Sequence, residues 1–248
     1  MKKVSAAEFA RFCQERAAAK DGYIMGATGQ DPKKLSAWWF NQYSGSQYTK
    51  AVYWKNHAER VWDCNGLAEG YYQDRTGENI NTRARYNYAS WCSDKGTGII
   101  PPEKRVPGAA VFWGGSASAI THVAFLARPV KETEPKGDWV LVEARGVMYG
   151  VVETRLLSRK PQYWGRMDKY FDYDGAGDES GFLTVTGSSV NVREGPGTNF
   201  ASVGLVNRGD RLYPAACDGW TAVVFDGAVR WISSQYVKEA EKNGLLDA

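Results

Sequence analysis

The sequence predicts an α+β fold, with helices packed on one face of an antiparallel sheet, followed by a small all-β barrel. Three observations carry that expectation. Up to Pro101-Pro102 the apolar residues fall at helical spacing between capping residues. After that pair, short apolar runs alternate with Gly, Pro and Lys turns. Beyond an acidic, Gly-rich stretch around 174–181 the runs shorten again and turns multiply.

Ser5 and Glu8 make a capping box, and Val4 with Phe9 a hydrophobic staple, so a helix is expected from about Ser5 to Lys20. The Gly-rich turn 21–29 follows. Asp31-Pro32 reads as N-cap and first position of a helix carrying Trp38, Trp39 and Phe40. Further helices are expected over Tyr48–Ala58, from Cys64 to near Gly77, and over Asn81–Cys92. Strands are expected at Ala109–Trp113, His122–Arg128, Trp139–Ala144 and Val151–Arg155. Six short strands follow between Leu183 and Ile232. The domain expectation is therefore 1–173, with a helical insert at about 30–60, a linker at 174–181, a barrel at 182–238 and a polar tail at 239–248.

The chain has 248 residues and a net charge of +3, which gives specific nucleic-acid binding little support. A weak attraction to an anionic wall or membrane surface stays open. Ten Trp and fourteen Tyr fit either core packing or a groove for sugars or peptides. Four cysteines stand far apart without metal-ligand spacing, so a reduced state and no structural zinc are expected. The start Met1-Lys2-Lys3 leads into no apolar run, and no segment is long and apolar enough to span a membrane. Membrane insertion is not expected. Action outside the cytoplasm implies phage-type release, non-classical export or a chain trimmed of its signal.

The chemistry centres on Asp63-Cys64-Asn65-Gly66-Leu67. With Asp63 as N-cap, Cys64 falls at a helix start, where the dipole and unpaired N–H groups favour the thiolate. Ile120-Thr121-His122-Val123 places a histidine at the head of an apolar strand, and a cysteine with a strand histidine is a nucleophile–base pair. The bland alternative for Cys64 is a small buried hydrophobe, and for His122 a hydrogen-bonded strand residue. His57, the other histidine, reads as part of a solvated helix face. Cys13, Cys92 and Cys217 read as structural.

The segment at 63–67 resembles the Asp-Cys-Ser-Gly-Leu motif of NlpC/p60-type peptidoglycan cysteine peptidases. Val106–Trp113 is similar to their Pro-Gly-Asp-Leu-Val-Phe-Phe strand and Thr121–Phe125 to their His-Val-Gly-Ile-Tyr strand. Gly22–Gly26 resembles the Tyr-Val-Trp-Gly run before the nucleophile. Residues 190–200, 219–223 and 230–237 resemble bacterial SH3-type domains of cell-wall enzymes. Three departures stand out: Glu143 where the family has His, Asn or Gln, Asn65 in place of Ser, and an unusually long segment between Tyr23 and Cys64. That insert either shapes the groove or adds core.

The resemblance implies a papain-like core and hydrolysis of stem-peptide amide bonds in peptidoglycan, at the D-γ-glutamyl–diamino acid bond, without a cofactor. It implies Cys64, His122 and Glu143 as catalytic residues and Tyr23, Asp63 and Asn65 as substrate neighbours. Trp220, Trp231 and Tyr236 are the wall-contact candidates of the second domain, with packing as the other reading. The partner expected is peptidoglycan, and the chain a monomer. An N-acetylmuramoyl-L-alanine amidase and a non-catalytic wall-binding protein remain the competing readings.

Overall fold

Six strands, all antiparallel, organise the N-terminal unit, in the order Lys95–Thr97, Tyr163–Gly165, Ala110–Gly114, Ile120–Pro129, Trp139–Ala144, Val151–Arg155. The computed structural model describes residues 2–173, 183–195, 197–208, 210–212, 215–217, 220–225 and 228–239. The chain divides into two units, Met1–Ala176 and Gly177–Ala248. The expected linker at 174–181 and the tail beyond Glu239 lie outside the described residues.

Trp139–Ala144 is buried at every position, which explains why it reads as an unbroken apolar run with one charge, Glu143. Neighbouring strands cover its edges. Helices cover one face. The helix Ala6–Ala18 starts at Ser5, whose side chain accepts the Glu8 N–H, and it packs on the sheet through Phe9. The Phe9 ring meets Phe125, Phe171 and Tyr71 at 4.8, 4.9 and 5.4 Å. Burying one such ring contributes about 2 kcal/mol or more, so this cluster fixes the helix on the sheet.

The helix Gly66–Thr76 lies close to the short strand Thr28–Gln30. Gly66 and Gly70 permit that approach, because a Cβ at either would run into the backbone carbonyls of Ala27 and Thr28. One helix turn separates the two glycines, so both face the strand. Gly77, at φ 76°, ends the helix in the left-handed conformation that glycine adopts without strain.

Several expectations shift. The segment after Asp31 is not one helix. A 3₁₀ turn at Pro32–Lys34, capped by Asp31, gives way to extended Leu35 and Ser36, and a separate helix spans Ala37–Asn41. The next helix begins earlier than expected, at Gly45, and ends at His57. Asn81–Cys92 forms only a short helix at Ala84–Tyr86 and a π turn at Asn87–Trp91. Lys95–Thr97 and Tyr163–Gly165 join the sheet although neither reads as a strand, since each is three residues long and contains glycine.

The insert does two things. Phe40, Ala51 and Trp54 are buried with Ile24, Ala27 and Val61 in a second core cluster. Trp54 donates its indole N–H to the Val147 carbonyl at 2.6 Å. Trp38, Tyr48 and Tyr53 stay exposed. Cys13, Cys64 and Cys92 are free thiols. No helix of the described residues is long and apolar enough to cross a membrane.

The second unit consists of short antiparallel strands. One sheet joins Arg211–Leu212, Leu183–Val185 and Val237–Glu239, and a second runs Ser202–Val206, Val190–Arg193, Ala228–Ser233, Trp220–Phe225, Ala215–Cys217. Val185, Val190, Val192, Val206, Leu212, Val223 and Ile232 form its core.

Candidate active site

The sheet brings four side chains to one place through register alone. Trp113 pairs directly with His122 across neighbouring strands. Continuing the Phe125–Val142 pairing by one step sets Glu143 opposite Ala124, and His122 shares the face of Ala124 because side chains alternate. Glu143 pairs in turn with Val152, which puts Thr154 diagonally across on the same face. His122 Nε2 lies 2.7 Å from Glu143 Oε2.

Glu143 is wholly buried. A buried carboxylate needs every lone pair answered. Here the Thr154 hydroxyl donates to Oε1 at 2.8 Å, and Arg159 donates from Nε to Oε1 at 2.8 Å and from Nη2 to Oε2 at 2.9 Å. Burial pushes the carboxyl up, but the hydrogen bonds from His122, Arg159 and Thr154 overcome it and hold Glu143 at about 2. Glu143 is therefore an anion at neutral pH, and His122 Nε2 donates to it. That fixes the neutral ring as the Nε2–H tautomer and leaves Nδ1 as the basic nitrogen.

Cys64 is half-buried, two residues before the helix Gly66–Thr76. The backbone N–H groups of Val123, Asn65 and Cys64 itself lie against its sulfur, so the thiol sits beside the His122–Val123 peptide. Burial nonetheless pushes the thiol up to about 12, and the Asp63 carboxylate adds to the effect. This corrects the expectation of a thiolate favoured by the helix start. The helix begins two residues later than expected, and its Gly66 N–H is answered by Asp63 Oδ1 at 2.6 Å. The N–H groups that do reach the sulfur are outweighed by burial.

Asp63 spans two segments. Its Oδ2 accepts the Gly26 N–H at 2.9 Å, and its own N–H donates to the Ala27 carbonyl at 2.7 Å. It ties the loop after Tyr23 to the Cys64 turn, and its charge also reaches His122. Asn65 is buried. Its amide donates to Glu69 Oε1 at 2.9 Å, and its carbonyl accepts from Asn87 at 2.7 Å. A side chain so enclosed braces the turn through these two hydrogen bonds. Glu69, buried and bonded to Asn65 and the Thr82 N–H, is pushed up to about 7 by burial.

Tyr23 sits on the two-residue strand Gly22–Tyr23, paired with Val61–Trp62. Burial raises its phenol, with added repulsion from Cys64, Asp63 and Tyr43, so those groups surround it. Tyr43, from the insert, accepts the Met25 N–H at 2.7 Å. The insert thus reaches the site's edge through Tyr43. His57 stays on an exposed helix face, stacked 4.2 Å from Tyr53.

The structure thus gathers Tyr23, Asp63, Cys64, His122 and Glu143 and turns Asn65 inward. Arg159, Thr154 and Trp113 were not visible as site residues in the sequence. Arg159 meets its partner only through the fold, 16 positions away. Among the described residues no group of three or more His, Cys, Asp and Glu side chains is arranged to hold a metal. In the second unit Trp220 and Trp231 are half-buried and Tyr236 is exposed; Trp220 pairs with Ser233 and Trp231 with Ala222 across neighbouring strands.

The chain is 25% identical over 112 residues to the "Putative N-acetylmuramoyl-L-alanine amidase YrvJ" of Bacillus subtilis (strain 168), a match covering 45% of this chain. The match spans about a fifth of that relative's length. Among solved structures, the NlpC/p60 domain of the peptidoglycan hydrolase SagA aligns at 16% identity over 66% of this chain and 99% of that one, with a TM-score of 0.39. Ly7917 aligns at 11% identity over 93% of this chain and 92% of that one, with a TM-score of 0.36. The bacterial SH3 domain model matches residues 188–238, the region of the second unit's antiparallel sheets.

Proposed function

We propose that the chain is a cell-wall hydrolase in which Cys64 and His122 cut an amide bond of the peptidoglycan stem peptide. The observation that carries this reading is the fixed imidazole. With Nε2 held by Glu143 at 2.7 Å, Nδ1 is the nitrogen left to serve the thiol beside the His122–Val123 peptide. Because burial keeps Cys64 protonated, the step begins as general-base catalysis.

Nδ1 takes the thiol proton as sulfur attacks the carbonyl carbon. A C–S bond forms and the carbonyl electron pair moves to oxygen. The backbone N–H of Cys64 and the phenol of Tyr23 are the candidate donors to that oxyanion, and one such donor is typically worth about 3 kcal/mol. The intermediate collapses, the C–N bond breaks, and the imidazolium gives its proton to the departing amine. Water, deprotonated at Nδ1, then cleaves the thioester and releases a carboxylate. Glu143 stays ionised throughout and holds the ring. The bond assigned is the one between D-γ-glutamate and the diamino acid, and the bacterial SH3 domain directs the enzyme to the wall.

One observation favours a second reading. The Bacillus subtilis relative carries an amidase name, and the bond between muramic acid and L-alanine is also an amide open to thiol attack. Mass spectrometry of digested muropeptides separates the two. Disaccharide still carrying a shortened stem supports the endopeptidase, and free disaccharide with an intact stem peptide overturns it in favour of the amidase.

A further inference from the structure

Arg159 holds the carboxylate that holds the imidazole, and its backbone holds the tryptophan paired with that histidine. Its guanidinium forms two parallel hydrogen bonds to Glu143, at 2.8 and 2.9 Å. Its guanidinium carbon lies over the Trp113 ring, 4.6 Å from the centroid. Its carbonyl accepts the Trp113 indole N–H at 3.0 Å. Trp113 in turn is the direct cross-strand partner of His122, with ring centroids 5.4 Å apart. Arg159 therefore bears on the imidazole along two paths, one through Glu143 and one through Trp113.

The charge count decides what this does. Alone, an ionised carboxylate 2.7 Å from a ring nitrogen would favour the imidazolium strongly. Paired with Arg159, the acceptor facing His122 is a carboxylate–guanidinium unit of zero net charge. The fork is also planar, so it sets the direction of the carboxylate lone pair that meets Nε2. The charged and titratable groups around His122 are Glu143 on the next strand, with Arg159 behind it, and Asp63 at the turn before the Gly66–Thr76 helix; Cys64 of that turn lies against the Val123 N–H.

We infer that Arg159 is a positioning residue of this site, which fixes the Glu143 carboxylate in direction and neutralises it so that His122 stays available as a base. The inference rests on the proposed role of His122, yet its main test does not require turnover. Only two histidines are present, His57 and His122, so both imidazoles can be followed by NMR titration in the full-length chain, with exposed His57 as internal reference.

Arg159→Met is expected to raise the His122 titration midpoint by about one pH unit and to leave His57 unmoved. The double variant Glu143→Gln/Arg159→Met, which restores a neutral acceptor, is expected to bring the midpoint back to or below the wild-type position. Against muropeptides, Arg159→Met is expected to lose about tenfold or more in kcat with little change in KM. The double variant is read by titration alone, since it also removes the ionised carboxylate that holds the ring during turnover. A folded Arg159→Met chain in which His122 titrates as in wild type overturns the inference. If Arg159→Met does not fold, Arg159→Lys decides. It keeps the charge but not the fork, so the midpoint should stay and kcat should fall; unchanged kcat overturns the positioning role. A wild-type chain that cleaves no muropeptide defeats the functional reading alone and leaves the titration result standing.

Discussion

His122 and Glu143 lie on adjacent antiparallel strands as diagonal neighbours, with Nε2 and Oε2 2.7 Å apart and the carboxylate wholly buried. The pair is made by sheet register and closed by groups outside it, Thr154 and Arg159. Removing the carboxylate therefore has two separable effects. Glu143→Ala should lower kcat by about two to four orders of magnitude, because the ring loses its tautomer and direction. It should also cost about 3 kcal/mol or more of stability by leaving Arg159 without its partner. Steady-state kinetics and urea unfolding measure these independently.

The pH dependence of stability has a definite sign at this position. Glu143 is held at about 2 in the folded chain, below the ordinary 4.5. Its stabilising contribution is complete above about pH 4.5 and is lost as pH falls toward 2. Glu143→Gln should flatten the acid side of the thermal-stability profile in that window. An acid side as steep as in wild type would show that the carboxylate is not held down.

Glu69 behaves in the opposite sense. Burial raises it from 4.5 to about 7, so the folded chain prefers the protonated form. Its contribution is full below about pH 4.5 and is lost as pH rises through 7. The shift corresponds to about 3 kcal/mol at most. Glu69→Gln keeps an acceptor for Asn65 and the Thr82 N–H, and should melt at a higher temperature than wild type at pH about 8 while matching it near pH 4. Differential scanning calorimetry at the two pH values measures this.

The resting thiol gives a third pH signature. With Cys64 pushed up to about 12, alkylation by iodoacetamide should keep accelerating through the neutral range into alkali, because the thiolate is the reactive form. Mass spectrometry of the modified peptide assigns the site. A rate already level by about pH 5 would indicate a preformed thiolate–imidazolium pair.

Close packing beside the Cys64 turn makes Gly66 intolerant of any side chain. A Cβ there meets the Ala27 carbonyl. Gly66→Ala should destabilise the chain by about 3 kcal/mol and reduce kcat, since the shift moves the Cys64 turn. Denaturant unfolding checks the first effect and initial rates the second.

Much of this was legible before the fold. Ser5 and Glu8 announce a helix through local hydrogen-bond chemistry, and Gly77 announces an end through its left-handed backbone. Glu143 stands out as the one charge in a buried run. Cys64 and His122 are marked by neighbours in sequence. The setting of Asn65 was not legible from its place next to Cys64, because its bonds to the Glu69 carboxyl and the Asn87 amide arise from the fold. Arg159 and Trp113 were silent because their contacts arise from strand order and the return of the chain after Arg155. The thiol's resting state was not legible because burial, the main cause of its raised state, is set by the fold.

Digestion of purified sacculi by wild type and Cys64→Ala in parallel, read by mass spectrometry of the released fragments, tests the central claim most directly. The account predicts new amide-cleavage products from wild type and none from the alanine variant at equal concentration with an unchanged melting temperature. Equal products from both proteins would contradict it.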